Sequence, residues 1–161
     1  MDADPDPAGQ IWLQLLLLLV LIFVNAFFAA SEIAVISLND AKIRKMAEDG
    51  HKKAQQILKL TADSSNFLAT IQIGVTLAGF LTSATAAQSL AEPLADWFIG
   101  TVPAAAGYAG AVETVSVVVI TLIMSYFSLV LGELVPKRIA MQKAESLSFA
   151  VIGVLRAVAI V

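Results

Sequence analysis

No cysteine occurs among the 161 residues, and histidine occurs once, at position 51. The first absence excludes disulfides, thiolate-bound zinc, iron–sulfur clusters and a cysteine nucleophile. The second leaves no poly-imidazole centre, so a metal handled by this chain must be held mostly by oxygen, which favours hard cations such as Mg²⁺, Ca²⁺ or Na⁺. Charge is scarce as well: 14% of residues are Asp, Glu, Lys or Arg, against about 25% in soluble domains. Ten basic and 13 acidic residues give a formal net charge of -3, which offers no basic field for nucleic acid. What is abundant is apolar: 58% of the chain, with a mean hydropathy of +0.83. That composition argues against a water-soluble globule.

The apolar excess is concentrated in three stretches. Residues 11 to 30, IWLQLLLLLVLIFVNAFFAA, have only Gln14 and Asn25 as polar members, which suits the ~20 residues needed to cross a bilayer. Residues 1 to 10 contain Asp2, Asp4 and Asp6 and no base, unlike the positive leader of a cleavable signal, so the run is expected to stay in the mature protein. Asn66 to Leu90 is uncharged and rich in small residues, with Gly74/Ala78 and Gly79/Ser83 at the spacing that lets helices approach closely. Val115 to Leu131 is β-branched and spans if its helix starts near Ala111. The expected organisation is an all-α membrane protein: a tail at 1–10, then spans at about 11–37, 65–90 and 111–135, with an outer loop at 91–110 marked by Pro93, Pro103, Gly100, Gly107 and Gly110.

Lys and Arg set an orientation. Six lie between 39 and 63, three between 136 and 145, one at Arg156, and none in 1–10 or 91–113. The positive-inside rule then predicts an outer N-terminus and an inner C-terminus. Within 39–61, Ile43, Met46, Ala47, Ala54, Ile57 and Leu58 fall on one helical face, Asn39 suits an N-cap and Asp49-Gly50 a break, so two amphipathic juxtamembrane helices are predicted on the inner surface. The last apolar segment, about 142–161, is too short to cross and is expected to lie along the interface, with more chain following it.

Ionisable groups within a span are costly and are therefore functional suspects. At ~1.5 Å per residue, Glu32 lies about 9 Å from the inner end of the first span, Gln72 about 10 Å above the start of the second, and Glu133 about 6 Å from Lys137 on the third. Pro136 cannot serve the carbonyl of Gly132 four residues back, so a helix break there would present a backbone oxygen beside the Glu133 carboxylate, as unwound transporter helices do. Equally, Pro136 could simply end the helix, Glu32 could snorkel or pair with Lys137 or Arg138, and Ser31 could bond back to its own helix. Asn25, Gln72, Thr76 and Thr82 could be interhelical hydrogen-bond glue, the favoured reading for Asn25 and Thr82. Ser31 has no histidine at its depth, so an enzyme is not expected.

The runs ASEIAVISLN (30–39), NFLATIQIGVTLAG (66–79) and LGELVPKR (131–138), in this order and spacing, resemble the DUF21 transmembrane domain of the CorC/CorB and cyclin M (CNNM) family, whose bacterial members are often labelled hemolysin-like. The resemblance covers about Leu13 to Val161. It implies a homodimer of three spans per subunit in the cytoplasmic membrane of, by expectation, a prokaryote, with cytoplasmic CBS domains following residue 161. It also implies magnesium transport, commonly efflux and proposed to be Na⁺-linked, and it matches the family's ion-site residues to Ser31, Gly132 and Glu133. Helix two departs from the pattern: positions that carry asparagine in magnesium-binding members are here Val75, Thr76 and Gly79. The expected cation site comprises Ser31, Glu32, Gln72, Thr76, Gly132 and Glu133. The alternatives are a non-conducting ion sensor and an exporter of another cation such as a polyamine.

Overall fold

A computed structural model of the chain describes residues 7–159, and every regular element among them is helical. Helix α1, Pro7–Ile36, runs without interruption. Two short helices follow, α2 (Asp40–Glu48) and α3 (Lys52–Thr61), then the long α4 (Ser64–Thr101). A 3₁₀ turn at Pro103–Tyr108 leads into α5 (Ala109–Leu129), a π-turn at Val130–Leu134, α6 (Val135–Gln142) and finally α7 (Ala144–Ala159). Three helical stretches, Ile11–Ile36, Ser64–Thr101 and Pro103–Gln142, are long and apolar enough to cross a membrane. Their flanks keep large apolar side chains outward: Phe80 is 70% exposed and Leu122 65%, a surface that a bilayer covers and water would not tolerate.

The juxtamembrane helices follow local chemistry. Asn39 accepts a hydrogen bond from the Lys42 N–H at 3.1 Å and caps α2. The break falls at Gly50, whose φ of +89° suits a residue without Cβ. His51 caps α3, its Nδ1 accepting from the Ala54 N–H at 3.3 Å. Ile43, Ala47, Ala54 and Ile57 are buried as expected, but against Ile152 of α7. The C-terminal segment is therefore a packed helix, and it covers the apolar faces that the periodicity alone would leave to lipid. A second cluster, Ala29, Val35, Phe67, Ile71, Val75 and Leu155, ties α1, α4 and α7 together.

Several expected boundaries move. Residues 7–10 belong to α1 rather than to a tail, while 1–6 and 160–161 lie outside the described residues. The second span does not end at Leu90, and the expected loop at 91–110 is mostly helix: α4 continues through Pro93 to Thr101. The cause is tertiary. Ala78, Thr82, Ala86, Ala91 and Ala95 form a continuous buried stripe, and α4 packs along α5, which outweighs the hydrogen bond lost at proline. The third span likewise does not stop at Pro136, because the π-turn absorbs the proline at the start of α6.

Candidate cation site

The π-turn organises the polar residues at the basic end of the spans. The Val135 N–H donates to the Val130 carbonyl, five residues back. Pro136, next in line, would serve Leu131 in that register or Gly132 in the α register, and it has no N–H to give. A carbonyl at this turn thus loses its main-chain donor while the helix carries on. Gly132 is buried, and a Cβ placed on it would come within 2.8 Å of Asn25 Nδ2. Glycine is therefore what lets the turn lie against α1.

Lys137 sits between two carboxylates from different helices. Its Nζ donates to Glu133 Oε1 at 2.8 Å, one helical turn away, and lies 3.3 Å from Glu32 Oε2 on α1. The second contact is an ion pair without hydrogen-bond alignment, since Glu32 Oε2 is buried and has no hydrogen-bond partner. Pairing with Lys137, one of the possibilities open from the sequence, is thus the observed arrangement for Glu32.

Beside this cluster, α1, α4 and the α5–π-turn rod enclose a cleft of 300 Å³. Its polar lining comprises Asn25, Gln72, Thr76, Ser83, Ser125, Ser128 and Glu133. Of the residues expected at the site, Gln72, Thr76 and Glu133 are thereby brought together, and Gly132 adjoins through Asn25. Ser31 and Glu32 do not line the cleft. Ser31 is fully buried with an unpartnered Oγ. Thr70, Thr82 and Ser148, by contrast, donate to the carbonyl four residues back, so Ser31 lacks the bond that hydroxyls elsewhere in these helices make. Thr82, read as interhelical glue, bonds to Ala78 of its own helix at 2.7 Å.

Asn25, Ser83, Ser125 and Ser128 are cleft residues that the sequence reading did not place at the site. For Asn25 the signal was present, as one of two polar residues in the first apolar run. Its amide oxygen is buried and unpartnered, a costly state outside a binding site. Among the described residues no group of three or more His, Cys, Asp and Glu is placed to hold a metal ion.

Three helices long and apolar enough to cross a membrane, around a polar cleft, define a multi-pass helical membrane protein. The chain belongs to the family of the Cyclin M transmembrane N-terminal domain (CNNM), whose family model matches residues 16–161. It is 38% identical over 152 residues to the UPF0053 protein sll0260 of Synechocystis sp., covering 94% of this chain and 33% of that protein. Against the UPF0053 protein YhdP of Bacillus subtilis it is 31% identical, covering 83% and 29%. Against the Polyamine export protein of Haemophilus influenzae it is 24% identical, covering 88% and 32%. The chain spans about a third of the length of these curated relatives.

Proposed function

We propose that the chain is the membrane domain of a cation exporter and that the cation passes through the cleft beside the π-turn. The observation that carries this reading is the convergence of Gln72, Thr76, Ser128 and Glu133 with the unpartnered amide oxygen of Asn25. Such oxygens in an apolar surround replace part of a cation's hydration shell. Lys137 pairs with both Glu32 and Glu133, which leaves the three groups with one net negative charge, so an arriving cation competes with a tethered ammonium. Mg²⁺ is the cargo proposed first. With one carboxylate on the cleft it would travel partly hydrated, as a small ion that dehydrates reluctantly does. The reading includes a homodimer in the cytoplasmic membrane, an inner basic end, an optional Na⁺ linkage, no enzymatic role, and CBS domains beyond residue 161.

A polyamine is the second reading. It is favoured by the name of the Haemophilus relative and by the lining itself, where amide, hydroxyl and carboxylate oxygens with the Phe80 ring suit alkylammonium groups. Flux into proteoliposomes carrying the full-length protein, run across Mg²⁺, Ca²⁺, Na⁺ and spermidine, decides between the cargoes. Glu133→Gln and Gly132→Leu should each abolish the flux seen with the parent. Unchanged flux in both sinks the site. Cation-dependent stabilisation without any flux would favour the non-conducting sensor instead.

A further inference from the structure

A separate cavity of 560 Å³ opens where α1 ends, α2 begins and α4 begins. Ile36, Asp40, Arg44, Thr61, Ser64 and Phe67 are among its walls. Ile36 ends the first apolar helix and Ser64 begins the second, so the cavity lies at the basic end of both, beside the juxtamembrane helices. Its chemistry is of two signs. Asp40 and Arg44, one helical turn apart on α2, are both exposed. An Asp–Arg pair at this spacing commonly closes on itself. Here it does not: the ion pairs of the described residues are Lys42–Glu145, Lys137–Glu32 and Lys137–Glu133.

We infer that this cavity holds the headgroup of a zwitterionic aminophospholipid, phosphatidylethanolamine. The Arg44 guanidinium matches the geometry of a phosphate diester. The Asp40 carboxylate takes the primary ammonium, and the Ser64 hydroxyl is available to a phosphate or glycerol oxygen. The acyl chains follow the exposed Ile36 onto the outer surface of the first span. An anionic headgroup such as phosphatidylglycerol has no cation to offer Asp40. Phosphatidylcholine carries a cation that donates no hydrogen bond. Both signs on one wall therefore select the aminophospholipid, and the site is independent of the cation cleft.

The test uses the full-length protein, delipidated in detergent and mixed with phosphatidylethanolamine, phosphatidylglycerol or phosphatidylcholine of identical chains, with retained lipid counted by native mass spectrometry. Phosphatidylethanolamine should be retained about tenfold over the other two, the scale of one charge-assisted hydrogen bond. Asp40→Asn should erase the discrimination against phosphatidylcholine, and Arg44→Gln should lower retention of all three. Because Asp40 also stands in the first turn of α2, Asp40→Glu serves as the folded, charge-keeping variant and should retain the preference. Lys45→Gln removes an exposed charge outside the cavity and should also leave it intact. Equal retention of the three lipids, a preference for phosphatidylglycerol, or loss of preference in Asp40→Glu or Lys45→Gln overturns the assignment. So does full competition by soluble glycerophosphoethanolamine at lipid concentrations, which would give the cavity to a free headgroup compound.

Discussion

Gly132 and Asn25 meet so closely that any side chain on the first must displace the second. Gly132→Ala drives a methyl into the Asn25 amide at 2.8 Å, and overpacking of this kind costs about 1–3 kcal/mol. A lower melting temperature is expected, with most of the loss recovered in the double variant Gly132→Ala/Asn25→Ala, where the added methyl takes the vacated space. Additive losses would show that the two do not touch in the folded protein. Lys137 makes a different prediction. Lys137→Met leaves Glu32 and Glu133 facing each other without compensation, at side-chain exposures of 18% and 31%. The cost should fall between the ~1 kcal/mol of an exposed pair and the ~3–5 kcal/mol of breaking a buried one. In thermal melts the variant should gain more from added Mg²⁺ or spermidine than the parent, because the competing ammonium is gone.

Turn and cap chemistry is the part of the elements that was legible in advance. Gly50→Ala should cost about 1–2 kcal/mol through backbone strain alone, since its φ is +89° and no atom stands within 4 Å of the added methyl. Gly153→Ala, inside α7 with equally open space, should instead gain up to about 1 kcal/mol. Opposite shifts in denaturant midpoints check the pair. The Asn39 cap and the Gly50 break could be read from sequence because both effects act within four residues. The continuation of α4 past Leu90 could not. Pro93 and the glycines beyond it read locally as a loop, and only the burial of Ala91 and Ala95 in contacts distant along the chain keeps the helix going. The site was legible in the same uneven way. Gln72, Thr76 and Glu133 stand out as polar residues in apolar runs and do share a cleft. Ser125 and Ser128 look like ordinary helix serines until α1 and α4 are placed beside them.

At the scale of the molecule, Lys, Arg and the short helices gather at one end, while α4, at ~1.5 Å per residue, extends about 57 Å, well beyond a ~30 Å hydrocarbon core. The absence of native cysteine makes the proposed orientation simple to test. With a membrane-impermeant maleimide on intact cells, Gly107→Cys should label, and Lys45→Cys should label only after permeabilisation; the reverse pattern would invert the topology. The π-turn, finally, sets a phase for the whole third span. Ser128 and Glu133 border one cleft although five residues separate them, a spacing that an unbroken α-helix would splay by about 140°. The turn acts as a one-residue shim between the cleft above it and the charged cluster below. Deleting a single residue such as Leu131 would let the turn close to an ordinary α-helix, with the serine and the carboxylate four residues and about 40° apart, whereas adding one to the turn would swing Glu133 and Lys137 by about 100° relative to the serines, with scarcely any change in the span's length or hydropathy. The register of this helix, as much as its composition, keeps Ser128 and Glu133 on one cleft.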